Sequence, residues 1–152
     1  MKQLMGWLKV ATAVAVVTAM SGCASGPAFT AVESAPTGQG QVYLYRTWQF
    51  QGSAAVLKIS QDEVQTDKTL PNASWQRLVV GPGRHTFGLK EYLNSMSCAG
   101  AQVDIAAGQT VFLGVDFTFV TTVGTQTYSV CKLTQRDEQS ALKDIAGLKR
   151  SD

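Results

Sequence analysis

Thr110-Val111-Phe112-Leu113-Gly114-Val115-Asp116-Phe117-Thr118-Phe119 is the stretch that decides the fold. Val111, Leu113, Val115, Phe117 and Phe119 recur at every second position, opposed by Gly114, Asp116 and Thr118. A pleated strand sends alternate side chains to opposite faces, so this stripe predicts a long strand with one apolar face. A helix would scatter the same five side chains around its axis. Such a face needs other strands to cover it, and the flanking sequence supplies them. Upstream, Val42 to Trp48 is aromatic and β-branched, Ala54 to Ile59 follows Gly52-Ser53, and Trp75 to Val80 runs into Gly81-Pro82-Gly83. His85, Phe87 and Leu89 then share one face, as do Val103 and Ile105, and Thr125 to Leu133 closes the series. About seven short strands at roughly 8–15-residue spacing, with no strand–helix alternation, predict an all-β domain: a small antiparallel β-sandwich or barrel over residues 41–133.

The tail reads differently. Thr134-Gln135-Arg136-Asp137 has the spacing of a helix capping box, and Ala141, Leu142, Ile145 and Leu148 recur at helical spacing. Residues 134–152 are therefore expected to form a C-terminal α-helix docked on the domain through that stripe.

The opposite end carries a targeting pattern. Lys2 and Lys9 precede an uncharged run from Val10 to Met20. This is a basic segment followed by an apolar one that is too short for a bilayer core, which needs roughly 20 apolar residues. Residues 1–22 are read as a signal peptide. Met20-Ser21-Gly22-Cys23 resembles the lipobox of bacterial lipoproteins, with methionine where leucine is more usual. The resemblance implies cleavage before Cys23, lipid on its thiol and acylation of the new amino terminus, an effectively permanent anchor. Ala24 after the cysteine, by resemblance to enterobacterial sorting rules, implies the outer membrane, with the domain facing the periplasm. Residues 23–40 are rich in small residues, glycine and proline and keep no period, so they are expected to be a lipidated flexible tether reaching about 20–25 Å.

Composition narrows the partners. The precursor carries a formal charge of +2, and removing Lys2 and Lys9 leaves 11 basic against 11 acidic side chains. A neutral chain without a Lys/Arg cluster has no general attraction for nucleic acid. Three cysteines are present. With Cys23 taken by lipid, Cys98 and Cys131 remain as an even pair in a chain bound for an oxidising compartment, and a Cys98–Cys131 disulfide is expected.

Val42-Tyr43-Leu44-Tyr45-Arg46, Gly81-Pro82-Gly83-Arg84-His85-Thr86 and Ala106-Ala107-Gly108-Gln109-Thr110 together resemble the DUF2846 family of bacterial lipoproteins. Members carry a VYVYR first strand, a PPGxHT turn and an AGxTY lead into a long strand. The PGxH turn is shared with PEGA domains, small β-sandwiches of bacterial surface proteins. The resemblance covers roughly residues 40–120 and departs after Lys90, where Glu91 to Gly100 looks inserted. It implies a fold and an envelope address.

The residues argue against an enzyme. The chain holds one histidine, His85, directly after a turn. Nucleophilic hydrolysis needs an acid to orient the base and a nucleophile facing it, and no Gly-x-Ser-x-Gly elbow is present. His85 is read as structural. One histidine and no Cys-x-x-Cys spacing leave too few ligands for a transition metal, and Asp62, Glu63 and Asp67 lack the order of a calcium loop, so neither metal nor cofactor is expected. Proline in Gly81-Pro82-Gly83 removes an amide that a phosphate cradle would use. Trp48, Phe50 and Trp75 lie near strand ends or loops, where exposed rings could stack on sugars or anchor a protein; core burial is the competing reading. The leading expectation is a membrane-anchored, non-enzymatic binding or scaffolding lipoprotein with an envelope protein or glycan partner. A glycan- or peptidoglycan-binding module and a lipoprotein subunit of a secretion system are the alternatives.

Overall fold

A computed structural model describes residues 24–50, 52–91, 97–123 and 126–151, with side chains at all of these except 119–123 and 126–129. The basic segment, the apolar run and Cys23 lie outside the described residues.

The alternating stretches form strands as their period requires: β1 (Gly40–Arg46), β2 (Leu57–Gln61), β3 (Val64–Leu70), β4 (Ser74–Val80), β5 (Gly83–Glu91), β6 (Ser97–Ile105), β7 (Thr110–Val123), β8 (Gln126–Arg136) and β9 (Lys149–Arg150). One short helix, α1 (Glu138–Ile145), precedes β9. Among the described residues the protein is thus mostly β with a single C-terminal helix, but the strands number nine rather than about seven. β3 escapes a pattern reading because five of its seven residues, in Val-Gln-Thr-Asp-Lys-Thr-Leu, are polar. It is an edge strand whose one neighbour in the sheet is β2, so most of its side chains meet water. β9 is two residues long, too short to carry a period.

The nine strands make one curled half-barrel sheet in the order β3-β2-β5-β6-β8-β7-β1-β4-β9. It is not wholly antiparallel, because β1 runs parallel to β7, β4 to β9, and β6 to β8. The β6–β8 seam is the thinnest, with Ala99↔Lys132 as its one register pair among the described residues. Beside that pair the sulfurs of Cys98 and Cys131 lie at disulfide-bond distance, with Cα atoms 4.4 Å apart. The covalent staple therefore sits where the backbone ladder is weakest.

β1 shows how the core is arranged, since all seven of its residues are buried. Val42 and Leu44 face one side of the sheet and join Leu57, Ile59, Phe87, Val111, Leu113 and Val115 in the main core. Tyr43 and Tyr45 face the other way, into a second cluster with Trp75, Phe112, Ala141 and Ile145. Val111, Leu113, Val115 and Phe117 of the β7 stripe pack inward as its period predicts, the Phe119 side chain lying outside the described residues, and Phe112 on the opposite face meets this second cluster.

α1 is shorter than the 134–152 helix expected from the tail. β8 continues to Arg136, and the Thr134 hydroxyl donates to Asp116 Oδ2 at 2.6 Å instead of capping a helix. Asp137 takes the cap, its Oδ1 accepting the Ser140 N–H at 2.9 Å. The apolar stripe docks as the spacing predicts: Ala141 and Ile145 are fully buried, with Leu142 and Leu148 partly so.

Residues 24–33 are folded against the domain, where composition suggested a free tether. Gly26 N–H donates to the Arg150 carbonyl at 3.0 Å, Phe29 N–H to Leu148 at 2.9 Å, and Arg150 N–H to Pro27 at 2.9 Å. The Phe29 ring stands edge-on to Tyr43 and Trp75, with centroids 5.8 and 5.6 Å away. Glu33 pairs with Arg77 at 2.7 Å. Phe29 and Val32 are apolar residues in an otherwise small and polar segment, and they supply the surface that docks it.

Candidate interaction site

β1 ends at Arg46, and the chain leaves the sheet as Thr47-Trp48-Gln49-Phe50-Gln51-Gly52-Ser53-Ala54-Ala55, a stretch without a charged side chain. Gln51 lies outside the described residues. Arg46 is fully buried and reaches under this loop. Its Nη1 donates to the Ala55 carbonyl at 2.7 Å and its Nη2 to the Gly52 carbonyl at 2.6 Å. The guanidinium lies 4.9 Å from the Phe117 ring centroid, a cation–π contact that replaces part of its lost hydration. Burial lowers its pKa to about 10, so it stays charged at neutral pH. A fork of donors suits this task, because two carbonyls in different parts of one loop are tied by a single rigid group.

A second clamp comes from the turn before β4. Asn72 Oδ1 accepts the Gln49 N–H at 3.0 Å, and Asn72 Nδ2 donates to the Gln49 carbonyl at 2.8 Å. Ser53 N–H to Phe50 and Ala55 N–H to Gly52 add two turns within the loop. Gly52 sits at φ +71°, a left-handed conformation that a side chain resists. With this backbone pinned, the side chains on either side of Gln49 face outward: Trp48 is 67% exposed and Phe50 77%. Large rings held in water by a fixed backbone make an uncommon surface, suited to contact with another molecule.

The three aromatic residues singled out in the sequence therefore separate. Trp48 and Phe50 share the loop, whereas Trp75 is buried, its indole donating to the Leu148 carbonyl at 3.1 Å. Burial leaves little of Trp75 for contact, because β4 turns it into the second core cluster, though it borders the cleft beside Arg77 and Ser151. Arg46 and Asn72, which build the loop, were not among the expected site residues. Their signal in the sequence was slight: an arginine closing an apolar strand, and an asparagine after a proline.

His85 has the acid the sequence could not locate. Its Nδ1 lies 2.8 Å from Asp62 Oδ2, and its Nε2 lies 2.9 Å from the Gly81 carbonyl. Both ring nitrogens are thus engaged with acceptors, and neither faces a hydroxyl or thiol. Clefts open elsewhere among the described residues. One, of about 340 Å³, includes Lys68, Arg77, Arg150 and Ser151 in its lining, and the Ser151 hydroxyl is taken up at 3.2 Å by Thr69. Another, of about 470 Å³, lies between residues 29–32 and α1, with Glu138 as its charged side chain. Among the described residues, no three His, Cys, Asp or Glu side chains gather as a metal site.

Comparisons of the chain with family models, with curated proteins and with solved structures return no match.

Proposed function

We propose that this chain is a lipid-anchored envelope lipoprotein whose β-domain binds another envelope component through the Trp48–Phe50 loop, without catalysis. The single observation that carries the binding role is the clamped loop: Arg46 and Asn72 fix its backbone while Trp48 and Phe50 stay exposed. Covering two such rings removes on the order of 300 Å² of surface, worth several kcal/mol before ordering costs. A preordered loop keeps those costs low.

The anchor rests on Met20-Ser21-Gly22-Cys23 behind a short apolar run. An exported chain also accounts for two cysteines placed at bonding distance. The non-catalytic reading is supported by His85, whose second nitrogen is occupied by a carbonyl. The outer membrane, the periplasm-facing orientation and the DUF2846 resemblance belong to the same reading.

Photocrosslinking from position 49 in intact cells tests the contact. A crosslinked envelope protein that disappears in Trp48→Ala/Phe50→Ala, with the melting temperature unchanged, is expected. Equal crosslinking by the double variant would overturn the role of the loop, and co-sedimentation with purified peptidoglycan lost in that variant would identify a glycan partner instead. Labelled palmitate should be incorporated by the wild type and not by Cys23→Ser; equal labelling would remove the anchor.

A further inference from the structure

We propose that His85, Asp62 and the Gly81 carbonyl form a proton-operated clasp, closed when His85 is charged, that locks the β2–β3 hairpin onto the β4–β5 turn. This goes beyond the binding role and depends on neither the anchor nor the aromatic loop.

The geometry sets the direction. Asp62 lies in the turn between β2 and β3, Gly81 in the turn between β4 and β5, and His85 near the start of β5. The ring sits between two acceptors, a carboxylate oxygen 2.8 Å from Nδ1 and a carbonyl oxygen 2.9 Å from Nε2. A neutral imidazole carries one N–H and can donate to only one of them. The second nitrogen would then present a lone pair to an oxygen at hydrogen-bond distance. The imidazolium donates to both, so the observed arrangement is complete only in the charged state.

The carboxylate is itself held in place. Asp62 Oδ1 accepts the Thr86 N–H at 2.9 Å, and Asp62 N–H donates to the Thr86 carbonyl at 2.7 Å. Asp62 is thereby fixed to β5 through its backbone and through both carboxylate oxygens. The turn needs this support, because Asp62 and Glu63 occupy left-handed conformations at φ 51° and 68°. Asparagine and aspartate tolerate that region, whereas glutamate has no such preference. The hairpin is also the edge of the sheet, where β3 has a neighbour on one side only. An edge hairpin on a strained turn is an element that a single contact can order or release.

The charges around the ring agree. The hydrogen bond to Asp62 raises the His85 pKa above its ordinary value, with help from the Gly81 carbonyl and against partial burial. The same hydrogen bond, with that from Thr86 N–H, holds the Asp62 carboxyl below its ordinary value. Gln61, on β2, touches Asp62 Oδ2 at 3.4 Å and is neutral. On β5 and β6, Arg84 and Asp104 pair with each other at 2.9 Å and present no net charge. Val103 is the register partner of His85 on β6. Glu63 is the remaining acid of the turn.

The raised histidine makes the clasp's contribution complete below the unfolded value of about 6.5, and it is lost as pH rises through the folded pKa. The depressed Asp62 carboxyl sets the acid limit, since its contribution disappears as pH falls through its own folded value. The clasp is therefore closed in mildly acidic solution and loosens toward alkaline pH.

Because His85 is the sole histidine, its ring proton resonances report one site. The full chain in detergent micelles, followed by NMR across pH 4–9, should titrate with a midpoint above about 6.5. Asp62→Asn should return the midpoint to about 6.5 or below. Hydrogen exchange at the Asp62 and Thr86 amides should accelerate through the wild-type midpoint by more than the intrinsic pH dependence. A wild-type midpoint at or below 6.5, or exchange protection that does not change across it, would overturn the clasp. The wild-type titration decides the matter even where Asp62→Asn fails to fold.

Discussion

Asn72 brackets Gln49, accepting its N–H at 3.0 Å and donating to its carbonyl at 2.8 Å through one side-chain amide. Both backbone polar groups of Gln49, between the two exposed rings, are thus satisfied by a residue 23 positions away. Asn72→Ala should strand both groups of Gln49 and cost about 1–3 kcal/mol. The Gln49 amide should lose hydrogen-exchange protection while amides of β1 keep theirs. Unchanged protection at Gln49 would mean that Asn72 does not hold the loop.

Arg46→Lys tests the fork on the other side of the loop. One ammonium cannot reproduce two fixed bonds to Gly52 and Ala55, so about 1.5–3 kcal/mol of stability should be lost. Partner crosslinking from position 49 should weaken as well, although residue 46 is buried and touches no partner. Chemical denaturation measures the first effect. A lysine variant as stable as the wild type would show that the two carbonyl bonds are not needed.

The Cys98–Cys131 bond closes a loop with a sequence separation of 33. Constraining the unfolded chain by that loop contributes about 3.5–4 kcal/mol. Reductant, or Cys98→Ala/Cys131→Ala, should lower the melting temperature accordingly. Hydrogen exchange should rise first along β6 and β8, where Ala99↔Lys132 is the one register pair among the described residues. Alkylation of both cysteines in protein kept from reductant would show that no bond forms.

Phe29→Ala should release residues 24–33 from Tyr43 and Trp75. The ring is partly buried, and its loss should cost about 2–4 kcal/mol. Limited proteolysis should then cut within this segment while the sheet stays intact. An uncut segment would mean that the backbone bonds to Leu148 and Arg150 suffice to hold it.

Much of the architecture is legible along the chain because it follows from a local rule. In a pleated strand alternate residues face one side, so Val111, Leu113 and Val115 point to the core wherever β7 is placed. Ala141 and Ile145 align on α1 for the corresponding helical reason. β3 was not legible, since an edge strand exposes most of its residues and needs no apolar stripe. The end of β8 was misread because Thr134 finds Asp116 across the ladder, a partner that spacing along the chain does not reveal.

By itself the sequence determined the β-rich character, the docking stripe of the helix and the pairable cysteines. Each follows from residue type and spacing within one segment. Only the tertiary structure decided that Trp48 and Phe50 are displayed while Trp75 is buried, and that residues 24–33 pack against the domain. It also decided that Arg46 underpins a loop and that His85 meets Asp62. Those outcomes depend on which strands become neighbours and how the sheet curls. Contacts across a curled sheet join residues far apart in the chain, and no local period encodes them.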